Sequence, residues 1–304
     1  MSTKIGFMRS PLFYVGDKYK LLPQISKHYP KEIQRFIEVF AGGGSIFLNA
    51  PCSEVFVNDI DLHLVEIHRY LMSFNGDFEA LIYELRGHIE SFGLTDSSVD
   101  FQVPTDLKKE FPKTYLARMN SKPYRDMKDA FNEMIVKDYG LLFLLLIYGF
   151  NRMLRFNRSG KFNLPVGNVD FNKNVLKALS QYVKETKHKK VNLYNLDYEE
   201  FISVIQPTQN DFLYLDPPYL ITGSEYNKIW SKENEQTLYS LVDSLHQQGV
   251  KFMLSNVINY KGETNSILEK WSSKYKVIDV KSNYINYFNN SQKKIHEVLV
   301  INYD

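Results

Sequence analysis

A β-favouring run that breaks on three glycines and restarts as a helix constrains this chain more than any other feature. Arg35-Phe-Ile-Glu-Val-Phe40 stops at Ala41-Gly42-Gly43-Gly44, and Ser45-Ile-Phe-Leu48 follows as a helix start. Strand, tight glycine turn and helix open a nucleotide-type α/β unit, in which bare backbone amides come close to a ligand. A second run, Glu54-Val-Phe-Val-Asn58, ends in Asp59, an acid about 17 residues beyond the turn that can accept ribose hydroxyls. The chain has no GxxxxGK[ST] sequence, so a phosphate-cradling ATPase loop is unsupported. A nucleoside cofactor without pyrophosphate fits the turn at least as well as a dinucleotide.

A strand signal returns at Asp211-Phe-Leu-Tyr-Leu215 and runs directly into Asp216-Pro217-Pro218-Tyr219. The carboxyl end of a strand is where open α/β sheets bind ligands. Two prolines fix the backbone and supply carbonyls without competing amides. Asp216 and the Pro217 carbonyl are then two acceptors suited to an exocyclic amino group, and Tyr219 offers a flat face to an aromatic ring. Elsewhere the patterning predicts helices over 62–72, 124–150, 233–247 and 265–271, and strands at 250–254, 277–280 and 297–303. The polar, proline-punctuated stretch 93–123 reads as a boundary. Alternating β and α favours a parallel sheet with helices on both faces.

Charge is distributed unevenly. The net charge is +2, yet residues 151–190 hold ten Lys and Arg against Asp170 and Glu185. Phe156, Phe162 and Phe171 interleave with this charge, which points to a surface that tracks phosphates. Within it, Asn151-Arg152-Met153-Leu154-Arg155-Phe156-Asn157, a Ser159-Gly160 turn and Lys161-Phe-Asn163-Leu-Pro165-Val-Gly167 read as a basic hairpin. A hairpin fits the major groove, where Arg bonds guanine and Asn bonds adenine.

Other features narrow the class. A single cysteine, Cys52, excludes an internal disulfide framework and any CxxC zinc site; it reads as a small buried residue, not as a nucleophile. His63 and His68 lie five apart, off a shared helix face, and read as structural; no metal is expected. The most apolar stretch, Leu141 to Phe150, is half of the ~20 residues that cross a bilayer, so it predicts a buried helix. No signal-peptide run opens the chain, and a cytoplasmic protein of a bacterial or phage-infected cell is expected.

The order of these elements resembles the Dam-type (D12 class) DNA adenine-N6 methyltransferases over nearly the whole chain. Phe13-Tyr14-Val-Gly16-Asp-Lys18 is similar to that family's N-terminal cofactor segment, with Tyr14, Gly16 and Lys18 in matching places. Glu38, Phe40, Gly42 and Gly44 fall in its cofactor turn, and Asn58-Asp59 matches its ribose-binding acid. Asp197-Tyr198 matches the pair that holds the cofactor adenine, with Tyr198 replacing the commoner Phe. Asp216-Pro217-Pro218-Tyr219 matches the catalytic motif, with Asp216 also beside the cofactor. Leu215 to Trp271, including Tyr226-Asn-Lys-Ile-Trp230, is similar to the bacteriophage T4 type. In the hairpin, Arg155 matches the guanine-reading arginine and Pro165 the proline near the central base pairs. Phe150, Asn151, Arg152, Met153, Asn157 and Lys161 complete the DNA-facing set. Two departures bear on specificity: Phe13 stands where some members have lysine, and Asn168-Val169 where several have arginine.

The resemblance implies an α/β, Rossmann-like S-adenosyl-L-methionine-dependent methyltransferase sheet with an inserted, largely helical DNA-recognition domain carrying a basic β-hairpin. Residues 1–60 and 191–304 are then the catalytic domain and 61–190 the target-recognition domain, with its hairpin at about 151–168. It implies adenine methylation in double-stranded DNA, at GATC or a related site, by a monomer in a phage or restriction-modification setting with a cognate endonuclease. An N4-cytosine methyltransferase would share this fold and cofactor, and a DNA-binding regulator could keep the fold without turnover.

Overall fold

The computed structural model describes residues 6–99, 101–222, 230–281 and 295–304. The Tyr226-Asn-Lys-Ile229 stretch quoted above lies outside them. Strands are β1 (Phe36–Glu38), β2 (Glu54–Asn58), β3 (Asp96–Ser97), β4 (Phe171–Asn172), β5 (Lys190–Tyr194), β6 (Phe212–Leu215), β7 (Lys251–Tyr260), β8 (Glu263–Thr264), β9 (Lys276–Val280) and β10 (Ile295–Ile301). Helices are α1 (Leu22–Ile25), α2 (Ser45–Leu48), α3 (Leu62–Ser73), α4 (Phe78–Phe92), α5 (Thr105–Glu110), α6 (Tyr115–Glu133), α7 (Tyr139–Tyr148), α8 (Lys173–His188), α9 (Tyr198–Ile205), α10 (Lys232–Gln247) and α11 (Ser266–Ser272). Contacts group the chain into two units, one of residues 20–41, 50–60 and 191–304, the other of residues 1–19, 42–49 and 61–190. The sequence-based division puts 1–19 and 42–49 with the sheet, whereas contacts group them with 61–190.

The first unit is a mixed sheet in the order β5-β2-β1-β6-β7-β10-β9, with β8 on β7. β1 pairs in parallel with β2 and β6, and β6 with β7. β10 runs antiparallel between β7 and β9. The apolar runs of β1 and β6 are buried throughout, as expected of parallel strands covered on both faces. Strand order reverses at β1, with β2 on one side and β6 on the other, which opens a crevice at their carboxyl ends. Arg35 fastens the starts of these two strands: its Nε and Nη2 donate to Asp211 at 2.8 and 2.6 Å. Burial works against the Asp211 carboxylate, but hydrogen bonds from Arg35 and Thr208 win and hold its pKa below the ordinary value.

The second unit is largely helical. α7 is buried on every side from Gly140 to Tyr148 and packs on α3, α4 and α6, so the apolar run at Leu141 is the core of a helix bundle. Asp138 caps it, accepting from the backbone N–H groups of Gly140 and Leu141 at 2.8 and 3.0 Å. The reading of 93–123 as a boundary is corrected here: it contains β3, α5 and much of α6. Pro123 sits inside α6, where proline ordinarily breaks a helix. Burial of Asn120, Tyr124, Met127 and Phe131 along one stripe carries the helix through it. No helix among the described residues is long and apolar enough to cross a membrane.

Candidate active site

In the sheet unit, Glu38 pairs with Tyr214 across β1 and β6, and Val39 N–H donates to the Tyr214 carbonyl at 3.1 Å. Phe40 and Asp216 therefore leave adjacent parallel strands at the same edge. Asp216 starts the turn after β6, and its Oδ1 accepts the Tyr219 phenol at 2.9 Å. The same phenol oxygen lies 3.2 Å from Ser255 Oγ on β7 and 3.2 Å from Glu297 Oε1 on β10, so its single proton is shared between the Asp216 and Glu297 carboxylates. Glu297 and Ser255 are almost wholly buried. Desolvation, then the charges of Asp216 and Glu297, raise the Tyr219 pKa well above its usual value, so the phenol stays a donor. Three β-strands thus fix the tyrosine ring through its hydroxyl.

The acid at the end of β2 is set by Asn58. Its side-chain amide donates to the carbonyls of Val39 and Leu196 at 3.1 and 3.0 Å, its Oδ1 accepts Leu196 N–H, and its own carbonyl accepts Ala41 N–H. Asp59 follows, with its carbonyl bound by Asn195 at 2.8 Å. Asp197 is exposed and caps α9 through Glu199 N–H. Tyr198 is buried, its ring 5.7 Å from Phe40 and 5.9 Å from Trp230. Glu38 is buried at the end of β1.

In the helical unit, the glycine turn is held from below. The Gly42 carbonyl can only accept, so His68 Nε2 carries the proton and donates to it at 3.2 Å, leaving Nδ1 to accept from Tyr182 at 2.8 Å. Gly44 adopts φ +77, and a Cβ there would lie 2.3 Å from the Phe47 ring and 2.8 Å from His68. A Cβ on Gly43 would lie 2.8 Å from Tyr14 Cβ, so Tyr14 packs directly on the turn. Gly16 has φ +84, and Lys18 Nζ folds back onto its carbonyl at 3.3 Å.

The hairpin closes around a Phe156–Phe162 antiparallel bridge, with Asn157 and Asn163 N–H groups donating to the Lys161 and Arg155 carbonyls, whereas Phe150–Arg152 forms a 3-10 turn and not the start of a strand. Gly160 takes the left-handed turn position. Leu154, Phe162 and Leu164 face the core while Arg155, Asn157, Lys161 and Asn163 face solvent. The Asn157 amide oxygen organises the tip, accepting from Ser159 and Lys161 N–H. Arg155 donates from Nε and Nη2 to Asn163 at 2.9 and 2.6 Å, which pins its guanidinium along the opposite strand. Phe150 is 52% exposed; Pro165 accepts Phe150 N–H through its carbonyl. Phe162 and Phe171 are buried, so of the three interleaved aromatics only Phe156 is partly accessible, and it stacks on His63 at 4.0 Å. Asn168 instead caps α6, accepting from Leu116 and Ala117 N–H.

Residues 14–286 match the family model described as D12 class N6 adenine-specific DNA methyltransferase. The chain belongs to this class. It is 31% identical over 307 residues to "Type II methyltransferase M.FokI" of Planomicrobium okeanokoites, covering 98% of this chain and 43% of that protein. It is 32% identical over 314 residues to "Modification methylase StsI" of Streptococcus sanguinis, covering 100% of this chain and 44% of that protein. It spans less than half the length of these two relatives. A "DNA adenine methylase" of Escherichia coli (strain K12) is 24% identical over 301 residues, covering 96% of this chain and 95% of that protein.

Sequence reasoning on this D12-class chain missed Ser255, Glu297 and the supporting part played by His68. Each reaches its partner from a distant segment, and no local motif announces it. His68 also gives a pH dependence. Burial drives its pKa down to about 4, the Gly42 carbonyl opposing, whereas an unfolded histidine titrates near 6.5. Between those values the unfolded chain binds the extra proton, so stability is full above pH 6.5 and falls as the pH drops toward 4. The expected loss is roughly 3 kcal/mol. Urea midpoints at pH 7 and pH 4.5 should differ less in His68→Gln than in the parent chain; equal differences would assign the acid lability elsewhere.

Proposed function

We propose that this chain is a site-specific DNA-methyltransferase (adenine-specific), EC 2.1.1.72, which methylates N6 of an adenine flipped out of double-stranded DNA. The observation that carries the proposal is the Asp216-Pro217-Pro218-Tyr219 turn at the end of β6, beside the carboxyl end of β1, with Tyr219 anchored through its hydroxyl. Asp216 and the Pro217 carbonyl accept hydrogen bonds from the N6 amino group, whose lone pair is otherwise delocalised into the ring; Pro218 keeps the turn rigid. The target ring stacks on Tyr219, a contact worth about 1–3 kcal/mol by analogy with other base–aromatic pairs.

The residues present fit S-adenosyl-L-methionine. The turn Gly42–Gly44, left-handed at Gly42 and Gly44 and packed so tightly that Cβ atoms at Gly43 and Gly44 would clash with Tyr14, Phe47 and His68, presents bare backbone amides, and Asp59 and Asp197 supply carboxylates suited to ribose hydroxyls and an adenine amino group. Tyr14, Gly16, Lys18, Glu38, Phe40, Tyr198 and Asp216 complete the set that would hold it. When bound, the cofactor supplies an electrophilic sulfonium methyl. The protein's part is placement and charge complementarity.

The hairpin reads the site: Arg155 a guanine, with Phe150, Asn151, Arg152, Met153, Asn157, Lys161 and Pro165 lining the duplex. The site is GATC or a related sequence. The protein acts as a monomer in the cytoplasm of a bacterial or phage-infected cell, and the names of its relatives favour a restriction-modification setting with a cognate endonuclease. Transfer of label from S-adenosylmethionine to duplex oligonucleotides, with adenine and cytosine products separated, tests the reaction; label on cytosine or none on DNA rejects it. Arg155→Ala is expected to relax discrimination at one G·C pair by ~1–3 kcal/mol. Measured on single-substituted duplexes, a uniform loss on all sequences would make Arg155 a phosphate contact.

A further inference from the structure

At the foot of the hairpin, two arginines pack on one aromatic ring. The Arg9 guanidinium carbon lies 4.5 Å from the Phe13 ring centroid, and that of Arg152 lies 4.2 Å from the same centroid. Both Nε atoms are buried without a hydrogen-bond acceptor among the described residues. Neither arginine forms an ion pair with a described carboxylate. The carboxylates that act on them do so through space, without an ion pair: Asp17 on Arg9 and Asp170 on Arg152, the latter already bound by Thr95 and Ser97.

Holding two like charges together, with donors unmet, works against folding. Burial first, then the charge of Arg9, lowers the Arg152 pKa to about 10. The backbone is strained here too. Phe13 (φ 48), Asn151 (φ 55) and Arg152 (φ 50) are left-handed, half of the described non-glycine residues with positive φ. Such strain clusters where a ligand is gripped. Guanidinium groups laid on an aromatic ring are held in plane and present their N–H edges to an oxyanion, an arrangement suited to a tetrahedral phosphate with several acceptor oxygens.

We propose that Arg9 and Arg152, fixed on Phe13, clamp one backbone phosphate of the duplex engaged by the hairpin. The clamp rests on the reading of this chain as a DNA methyltransferase. It positions the duplex and carries no sequence information.

The test is equilibrium binding of the full chain to a cognate and an unrelated duplex over a series of salt concentrations. Arg9→Gln and Arg152→Gln are each expected to weaken both duplexes alike and to reduce the slope of log affinity against log salt by about 0.9. Arg152→Lys should keep the slope while weakening binding, because it retains charge but not the planar fork. Duplexes carrying one neutral methylphosphonate at successive positions give a test independent of any folding defect. The parent chain should lose affinity at one position, and Arg152→Gln should lose nothing further there. Unchanged slopes, a loss confined to one base pair, or weakened S-adenosylmethionine binding with DNA affinity intact would each overturn the clamp. A parent chain that binds no duplex at any salt would overturn the functional reading with it, and so is distinguishable from failure of the clamp alone.

Discussion

Asp216→Ala is expected to slow methyl transfer on the order of 10³-fold, the upper range for removing one preorganised transition-state contact, while DNA affinity stays within a few-fold. The variant isolates the carboxylate. Tyr219 loses one acceptor, but its hydroxyl keeps Ser255 at 3.2 Å and Glu297 at 3.2 Å, so the stacking ring remains anchored. The prolines still fix the turn, and the hairpin belongs to the other unit. Base extrusion and duplex binding should therefore survive, and the loss should appear in the single-turnover rate. Activity near that of the parent chain would sink the assignment of Asp216.

The second large effect is expected at Gly44. An alanine there must hold φ +77, which costs about 1 kcal/mol or more for a residue with a Cβ. Its Cβ would also press on the Phe47 ring at 2.3 Å and on His68 at 2.8 Å. Phe47 and His68 are both buried, and His68 is tied at each ring nitrogen, so neither can swing away. The turn itself has to move. Gly44→Ala should lower stability by about 2–3 kcal/mol and weaken S-adenosylmethionine at least tenfold. Gly93→Ala is the control: its φ is +72 but nothing lies within 4 Å of its Cβ position, so only backbone strain applies. Calorimetric titration of the two variants with cofactor would show the contrast; equal losses would remove the steric argument.

Which parts of this molecule were legible from sequence follows from how local their causes are. The glycine turn, β2 and the β6 exit into Asp216 were readable because strand, breaker and helix start lie within a few residues. The hairpin was readable because alternation around Ser159-Gly160 is itself local, and its buried and exposed faces follow that alternation. Pro123 misled, since tertiary burial of Tyr124, Met127 and Phe131 outweighs a proline's propensity. Phe162 and Phe171 look like base-stacking residues in a basic segment but fill the core. The lysines that follow lie mainly on α8, whose opposite stripe buries Val175, Leu179, Tyr182 and Val183. Asn168, read as a specificity position, caps a helix more than fifty residues earlier in the chain. Glu297, His68 and Arg9 have no motif; their significance arises from partners that only folding brings near.

The most direct test is modification mapping. The protein would be expressed in a host without adenine methylation, and the DNA sequenced by a single-molecule method that senses modified bases. N6-methyladenine at one sharply defined sequence motif is expected, absent in the Asp216→Ala strain. DNA without modified adenine, from cells whose purified protein still binds S-adenosylmethionine, would contradict the account.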